Sequence, residues 1–453
     1  MKIKFFLILF LLSLYSHGQS HWQAIGDGIL NPNGAASLNP NFRGFYSDSI
    51  NQRLYVCLGL DTYLDNQHTG GIAYLENGKW HPLGQGIQSP NTSFVKQAIL
   101  FHDTLFVIGT FEQMDSLAET KGIAAWVDDH WVSTGLNFPG NLLNLKIFED
   151  ELIITGAFDS IQGEKLNGMA AYKNGKIQPF IPNIDLQVAY VSDLEWFEGK
   201  LYIGGNFFQF NDLVAVDSTG LSVPGMGLSG SNSDLWDLQK YKGKLYVAGN
   251  MNMQLGDPGN GIASWDGQTW SSLQGGIPYG TVKKMTVYKD LLFVAGNTLS
   301  PQALGEGSSD FLTVWDGNEW RAMHWDFSGS GLNDLVVHQD TLYIGGNFLS
   351  IDGKPMNHLA FTTHNFPLSL PEPSANEDFF LYPNPTANHV SLSINKDLLG
   401  GDLMVFNAQG KMVKSIPNLQ FQTLILHNLP TGTYFFRYEK GQISFKKSLL
   451  VHE

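Results

Sequence analysis

The sequence predicts an all-β protein made of repeated four-stranded antiparallel units, followed by a second, smaller β domain. Three observations lead to this prediction. A short apolar phrase that ends in glycine occurs seven times, strand-like segments separated by turn residues surround each copy, and the composition changes after Phe366. The 49 glycines and the 13% aromatic content are typical of many short strands joined by tight turns.

The clearest copy of the phrase is residues 342–348, Leu-Tyr-Ile-Gly-Gly-Asn-Phe, which alternates β-formers and then stops at glycine. The seven copies begin at Leu54, Leu105, Leu152, Leu201, Leu245, Leu292 and Leu342. Their spacings of 51, 47, 49, 44, 47 and 50 residues are typical of a solenoid or a propeller.

Each repeat contains four strand-like segments. In the fifth repeat they are residues 238–241, 245–250, 261–267 and 270–277. Glycine and aspartate in the intervening turns favour tight antiparallel hairpins. Four antiparallel strands in ~48 residues predict one propeller blade. A solenoid is the alternative, but its repeats would contain a helix or a single long strand, and no helical period is present.

The two ends of the repeat region complement each other. The seventh repeat lacks its fourth strand, and residues 22–29 at the amino terminus carry the missing pattern. We therefore predict a seven-bladed β-propeller over residues 19–366 that is closed by the N-terminal strand and leaves no exposed sheet edge. Two repeats are degraded, because Ile177 replaces the usual tryptophan and residues 213–221 contain none.

The repeats resemble kelch-type and galactose-oxidase-like blades, and more closely the secreted bacterial repeat of the form GGNF…IA.WDG..W..LG.G. This resemblance implies the fold. It does not imply a function, because propellers host many unrelated activities.

Residues 1–18 read as a secretory signal peptide. Lys2 and Lys4 precede an apolar run over residues 5–14, and Ser16 and Gly18 are small residues before a plausible cleavage site. The run is too short to span a membrane, and no other stretch is long and apolar enough. We expect no integral membrane segment in the mature chain.

A linker over residues 367–377 precedes a module over residues 378–453. The linker contains three prolines and two serines in Pro-Leu-Ser-Leu-Pro-Glu-Pro-Ser. Seven short strand-like segments follow it, which predicts a small Ig-like β-sandwich. Alternation is clearest in residues 390–394, Val-Ser-Leu-Ser-Ile.

This module resembles the C-terminal sorting domain of type IX secretion cargo in the Bacteroidetes. The resemblance is carried by four motifs in order: LYPNP, VFNAQGK, LPTGTY and KKSLLV. It implies that the type IX machinery is a partner, and that the chain crosses the outer membrane and is attached at the surface or released. The matching residues are Tyr382, Pro383, Asn384, Pro385, Gly410, Gly432, Tyr434, Lys446 and Lys447.

Composition excludes several classes of function. The formal net charge of −15 with only 15% charged residues argues against nucleic acid as a partner. The single cysteine, Cys57, lies in a repeat strand and is expected to be a buried apolar residue. No zinc-binding or hydrolase motif occurs, so we assign no cofactor, metal ligand or catalytic residue.

Three aspartates occupy one equivalent position in their repeats. Asp193, Asp237 and Asp334 each lie eight residues before the phrase, with Asn144 in a fourth repeat. Rotational symmetry would bring them to one ring near the propeller axis, where they could bind a cation or a ligand. Alternatively, they satisfy backbone groups where strands begin, or hold water.

Two tryptophans stand outside the repeat pattern. Trp236 and Trp325 precede the first strands of their repeats and could be stacking platforms for a glycan or a peptide. The alternative is ordinary loop packing. Trp196 shares a position with apolar residues of other repeats and is predicted to be core.

The sequence favours an exported binding or scaffold protein that acts through a propeller face, with a glycan or protein as ligand. The alternative is a secreted carbohydrate-active or oxidase-type propeller enzyme. A purely structural role in a surface layer is a third hypothesis. An enzyme should bring carboxylates or metal ligands from different repeats together on one face.

Overall fold

The computed structural model is all-β: its described residues contain no α-helix, and they include two three-residue 3₁₀ turns, Met253–Leu255 and Gln302–Leu304. The chain divides into two compact units, Met1–Asn365 and Phe366–Glu453. The structure describes residues 21–36, 41–88, 93–138, 140–161, 163–173, 175–182, 186–208, 212–225, 228, 234–304, 310–321, 323, 325–366, 379–382, 389–394, 398–420, 423–427, 429–441 and 443–451. The signal peptide and the linker predicted from sequence lie outside these residues.

Seven larger antiparallel sheets form most of the first unit, and we number them in chain order. Their first strands are Gly44–Asp48, Phe94–Phe101, Leu142–Phe148, Val188–Phe197, Asp234–Tyr241, Tyr279–Tyr288 and Phe327–His338. Their second strands, which contain the repeated phrase, are Arg53–Cys57, Thr104–Thr110, Glu151–Gly156, Lys200–Phe207, Lys244–Asn250, Leu291–Ser300 and Thr341–Ile351.

The third and fourth strands complete each sheet. The third strands are Ile72–Glu76, Ile123–Val127, Met169–Lys173, Leu213–Asp217, Ile262–Trp265, Asp310–Trp315 and Leu359–Thr362. The fourth strands of sheets 1 to 6 are Lys79–Pro82, His130–Val132, Lys176–Pro179, Gly220–Ser222, Trp270–Ser271 and Trp320–Arg321. Shorter pieces are Ser160–Ile161 paired with Glu164–Lys165, and Lys354–Pro355 paired with the end of Thr341–Ile351.

The N-terminal strand completes sheet 7, as the sequence predicts. Gln23 pairs with Phe361 and Ala24 with Ala360, and the Ile29 N–H donates to Asn357 O at 2.8 Å. The strand is shorter than predicted, because the chain turns where Gly26 and Gly28 adopt φ of 56° and 72°. Beyond this turn, Ile29–Leu30 pairs with the hairpin formed by Tyr63–Leu64 and Gln67–His68.

The first strands of neighbouring sheets contact one another in chain order. The first strand of sheet 7 also contacts the first strand of sheet 1. Six of the seven first strands contain a register shift near the middle of the hairpin, which is a β-bulge. A bulge inserts one unpaired residue and changes the direction of the neighbouring side chains.

The hydrophobic core of this unit lies between neighbouring sheets. One cluster, for example, joins Tyr55 and Leu83 of sheet 1 to Val107 and Trp131 of sheet 2. Cys57 is fully buried in this cluster, as expected from its sequence position, and burial raises the pKa of its thiol. Each sheet thus buries apolar side chains against both of its neighbours.

The second unit contains the seven strands predicted for it, in two sheets. Phe379–Tyr382, His389–Ile394 and Thr423–His427 form one sheet. The other has the order Met412–Ile416, Asp402–Asn407, Gly432–Lys440 and Ile443–Val451. Residues of both sheets share one hydrophobic cluster that includes Leu392 and Phe436, so the two sheets bury a common core.

In the part of the chain that the structure describes, no helix has the length and apolar character needed to cross a membrane.

Candidate functional site

The three predicted aspartates occupy the same register position in their sheets. Asp193 pairs with Gly204, Asp237 with Ala248 and Asp334 with Gly345, each opposite the fourth residue of the repeated phrase. The same position in all seven sheets defines a set that we name the first-strand polar layer: Gly44, Gln97, Asn144, Asp193, Asp237, Lys284 and Asp334.

Each aspartate of the layer bonds to the next sheet. Asp193 Oδ2 accepts the Leu238 N–H at 2.9 Å, and Asp237 Oδ2 accepts the Met285 N–H at 2.8 Å. Asp334 Oδ2 accepts the Phe45 N–H at 2.7 Å, which connects sheet 7 to sheet 1. In every case the donor directly follows the layer residue of the next sheet. Each aspartate thereby satisfies a backbone N–H of the next sheet.

Gln97 performs the same role with an amide. Its Oε1 accepts the Leu145 N–H at 2.7 Å and its Nε2 donates to Leu145 O at 3.2 Å. Asn144 Nδ2 donates to Asp193 Oδ1 at 2.6 Å. The layer therefore joins neighbouring sheets through side chains, and it does so with amides as well as with carboxylates.

Two lysines balance the carboxylates. Lys284 forms an ion pair with Asp237, and Lys146 Nζ lies 2.8 Å from Asp193 Oδ1. Burial alone would lower the pKa of Lys284, but the charges of Asp237, Asp193 and Asp334 together raise it, so the ammonium stays charged. Burial raises the pKa of Asp334 to about 6, opposed by the Lys284 charge, and burial likewise raises the pKa of Asp237.

The oxygens of these aspartates thus already have backbone and ammonium partners. Among the described residues, no group of three His, Cys, Asp or Glu side chains is placed to hold a metal ion. The positive charges that the aspartates face are the ammonium groups of Lys284, a member of the layer, and of Lys146. The arrangement can join sheets and fix their register.

The two candidate tryptophans have different surroundings. Trp236 is the bulge residue directly before Asp237, and 37% of it is exposed. Trp325 is only 7% exposed; its ring lies 5.5 Å from Trp22 and 6.4 Å from Phe293. Trp325 is therefore packed in the core and has no free face for a ligand, whereas Trp236 has one.

Trp236 lies near the edge of the sheets where first strands begin and second strands end, which we name the loop edge. Phe208, which follows the second strand of sheet 4, is 74% exposed at this edge. Tyr279, which opens the first strand of sheet 6, is 71% exposed. Three consecutive sheets thus present an exposed aromatic side chain at one edge, and burial against a partner would be favourable.

A group of acidic residues lies at the loop edge of sheets 4 and 5. The Tyr190 hydroxyl donates to Asp234 Oδ1. Asp212 is 8% exposed, and its burial raises its pKa to about 7, with further raising by the charges of Asp234 and Asp257. We name Tyr190, Asp212, Asp234 and Asp257 the acidic cluster. Carboxylates from two sheets converge here, which the sequence analysis did not find.

A signal for Asp212 was present in the repeat pattern. Its backbone has φ of 47°, in the position where four other sheets have glycine at positive φ. The carbonyl oxygens of those glycines accept backbone N–H groups at the end of the second strand, as the Asp212 carbonyl oxygen does; the glycines are Gly71, Gly122, Gly168 and Gly261. An aspartate in a glycine position is strained by its Cβ.

We expect Asp212→Gly to stabilise the protein by about 1 kcal/mol at pH 8, because it relieves this strain and removes a desolvated carboxylate. The folded-state pKa lies above the unfolded value, so the wild type loses stability as pH rises from about 4 to about 7. The stability gained by Asp212→Gly relative to the wild type should therefore increase between pH 4 and pH 7. Urea unfolding at pH 4 and pH 8 measures it. Asp212→Asn is the control, since it removes the charge and keeps the strain; equal stability of wild type and Asp212→Gly at pH 8 would contradict the prediction.

The structure describes the sorting motif residues unevenly. Pro383, Asn384 and Pro385 lie outside the described residues, and Tyr382 and Lys446 lie in strands. Gly410 and Gly432 both adopt positive φ, 74° and 152°. Tyr434 is buried and its hydroxyl donates to Pro430 O at 2.8 Å, whereas Lys447 is exposed.

Two of the sorting motifs meet in space. A cavity of about 540 Å³ lies between the turn at Asn407, Ala408 and Gln409 and the segment Leu429 to Tyr434. These motifs are far apart in sequence, and sheet pairing of Asn407 with Tyr434 brings them together.

Residues 380–452 match the family described as "Secretion system C-terminal sorting domain". This domain is the signal for type IX secretion in the Bacteroidetes, so the protein is exported to the cell surface or the extracellular space. The type IX machinery is accordingly a partner of the chain.

Among solved structures, the chain is similar to extracellular domains from B. thetaiotaomicron. One belongs to a protein described as a hybrid two component system, with 11% identity and a TM-score of 0.48. The other belongs to a protein described as a one component system, with 10% identity and a TM-score of 0.45. Each match covers 95% of this chain and 59% of the other. No curated protein matches this chain.

Proposed function

We propose that this exported protein is a seven-bladed β-propeller that binds a ligand, a glycan or a protein, at the cell surface or outside the cell. The observation that carries the proposal is the cyclic order of the sheets. Seven four-stranded sheets contact one another through their first strands, the last contacts the first, and the N-terminal strand supplies the missing strand of sheet 7. This order is what closure of a propeller requires.

The polar layer argues against a catalytic role for the aspartates near the propeller axis. Its aspartates are bonded to the next sheet and to lysines, so they hold the sheets in place. A catalytic carboxylate must instead be free to reach a substrate. Binding then falls to an edge of the sheets.

The loop edge of sheets 4 to 6 is the proposed ligand-binding face. It presents Phe208, Trp236 and Tyr279 with open aromatic surface. Aromatic side chains supply much of the binding energy at protein interfaces and stack on sugar rings. The bulge that positions Trp236 is a backbone feature of the kind found beside functional sites.

We expect Trp236→Ala to weaken ligand binding at least ~10-fold, since one buried aromatic anchor contributes on the order of 1–3 kcal/mol. The mature chain is to be screened on a glycan array and against isolated cell-surface proteins, and affinity for the hits measured by titration. Ile50→Ala is the matched control, because Ile50 is 75% exposed in a hairpin turn at the opposite edge of sheet 1.

Unchanged affinity of Trp236→Ala for every ligand found, or equal losses in Ile50→Ala, would contradict this assignment of the face.

The acidic cluster favours a second candidate function, a carbohydrate-active enzyme. Asp212 with its raised pKa and Asp234 with its hydrogen bond from Tyr190 differ in environment, as general acid and partner carboxylate do in glycoside hydrolysis. The test is whether the wild type hydrolyses any glycan that it binds on the array. Hydrolysis that Asp212→Asn abolishes would show that the protein is an enzyme and not only a binding protein.

A further inference from the structure

Three of the seven sheets contain a pair of tryptophans that closes the gap to the preceding sheet. Trp126 and Trp131 face each other on the third and fourth strands of sheet 2, as Trp265 and Trp270 do in sheet 5 and Trp315 and Trp320 in sheet 6. The ring centroids within each pair are 5.0–5.2 Å apart.

The indole N–H groups of these pairs bond to the preceding sheet. Trp265 Nε1 donates to the Tyr202 hydroxyl at 3.0 Å, and Trp315 Nε1 donates to the Tyr246 hydroxyl at 3.1 Å. Trp270 Nε1 donates to Pro224 O at 3.2 Å. In sheets 5 and 6 the pair thus packs against the preceding sheet and has both of its indole N–H groups bonded there.

Sheet 4 lacks this pair. Val216 and Leu221 face each other where the two tryptophans would stand. The second strand of sheet 3 has Ile153 where sheets 4 and 5 have the tyrosines that accept the indole bond. Both halves of the repeated contact are therefore replaced by smaller apolar side chains between sheets 3 and 4.

A cavity of about 440 Å³ occupies this gap. Val216 lines it, together with Phe148, Phe180 and Trp196. The Phe148 ring lies 5.6 Å from Trp196 and 5.8 Å from Phe180. Trp196 is 42% exposed, so its prediction as a core residue is wrong, and its side chain lines the cavity. We name this space the inter-sheet pocket.

Charged side chains of both signs line or border the pocket. Glu151 Oε1 lies 3.6 Å from Lys173 Nζ, and Asp217 Oδ2 lies 3.0 Å from Lys200 Nζ. Hydrogen bonds from the Thr219 hydroxyl, then from Lys200, lower the pKa of Asp217 to about 2. The Asp217 carboxylate therefore remains an ionised acceptor at ordinary pH, and both carboxylates have an ammonium donor beside them.

This arrangement suits a neutral polyhydroxylated ligand. Each carboxylate–ammonium pair offers both donors and acceptors to sugar hydroxyls and nearly cancels as net charge, and Glu149 in the lining adds a further acceptor. The open aromatic face suits the apolar face of a pyranose ring. The cavity volume lies within the range of small-molecule sites, about 300–1,000 Å³.

We propose that the inter-sheet pocket binds a neutral pyranose sugar, with one ring stacked on Trp196 and its hydroxyls bonded to Glu151, Lys173 and Asp217. The site goes beyond the proposed function, because it lies at the hairpin-turn edge of sheets 3 and 4, opposite the loop edge that carries Trp236. It requires neither Trp236 nor the acidic cluster.

Saturation-transfer NMR and titration calorimetry on the mature full-length chain test the proposal. The probes are methyl pyranosides and disaccharides of glucose, galactose, mannose and N-acetylglucosamine. We expect at least one probe to bind, and Trp196→Ala to weaken it at least ~10-fold. Ile50→Ala is the control, an apolar side chain that is 75% exposed in a hairpin turn of sheet 1, and should change the affinity by less than ~2-fold.

A filled pocket provides the second variant. Val216→Trp with Ile153→Tyr restores the repeated indole–hydroxyl contact and occupies the cavity, so it should abolish binding while the melting temperature stays at or above that of the wild type. The proposal is overturned if no neutral probe binds the wild type, if only charged sugars bind, or if binding survives in both the Trp196→Ala and the filled variants. Loss of binding in Trp236→Ala alone would overturn it as well and would place the sugar at the loop edge.

Discussion

Deletion of residues 379–453 is expected to stop export of the protein across the outer membrane. The deleted segment contains the match to the sorting domain over residues 380–452, and recognition of that domain by the type IX machinery is what selects the chain for export. The remaining unit has its own hydrophobic clusters between sheets, so it should fold and accumulate in the periplasm.

Immunoblots of medium, surface and periplasmic fractions from the native host measure this effect. The truncated chain should lose its signal peptide, resist protease and be absent from the medium and the surface. Met412→Ala in the full-length chain is the control, because Met412 is 52% exposed in the sorting domain and lies outside its four motifs. Normal amounts of truncated chain outside the cell would refute the sorting role.

Replacement of Lys284 by methionine is expected to lower the free energy of unfolding by about 2–3 kcal/mol. Lys284 faces Asp237, Asp193 and Asp334, and its loss leaves Asp237, 1% exposed, without its opposite charge. Breaking a fully buried ion pair costs about 3–5 kcal/mol. The expected cost is smaller here because 39% of the Lys284 side chain is accessible to solvent, so water can partly screen the remaining charges.

The double variant Lys284→Met/Asp237→Asn separates charge from packing. It removes the uncompensated carboxylate and keeps an acceptor for the Met285 N–H, so it should recover most of the lost stability. Urea unfolding at pH 7 gives the free energies. The single variant should also regain stability as pH falls below the raised pKa of Asp237, since protonation removes the unpaired charge. Equal stability of the single and double variants would show that the charges do not matter.

The elements of this fold were largely predictable because each repeat carries its own turn chemistry. The phrase at Leu201 becomes the second strand of sheet 4, and the glycines and aspartates between segments become hairpin turns. The equivalence of Asp193, Asp237 and Asp334 followed from a constant spacing of eight residues before the phrase. Gln97 and Lys284 also lie eight residues before the phrase, so their place in the polar layer could have been predicted in the same way.

The individual candidate sites were less predictable, because burial of a side chain depends on the neighbouring sheet. Trp325 and Trp236 look alike in sequence, yet Trp325 packs on Trp22 from the other end of the chain and Trp236 stays exposed. Trp196 shares a repeat position with apolar residues, yet it is 42% exposed and borders a cavity that Phe148 of sheet 3 and Val216 of its own sheet also line. Asp212 was visible only as an aspartate in a glycine position.

The amino-acid sequence alone determined the number of strand-forming repeats, the strand supplied by the amino terminus and the export signal, because these depend on local propensity, period and short motifs. The tertiary structure decided what each polar and aromatic side chain does. Asp237 bonds to a backbone group 48 residues away in the next sheet, and the space beside Trp196 is lined by residues of two different sheets. Such contacts form between repeats, where the local sequence of one repeat carries no information about the surface that the next repeat presents.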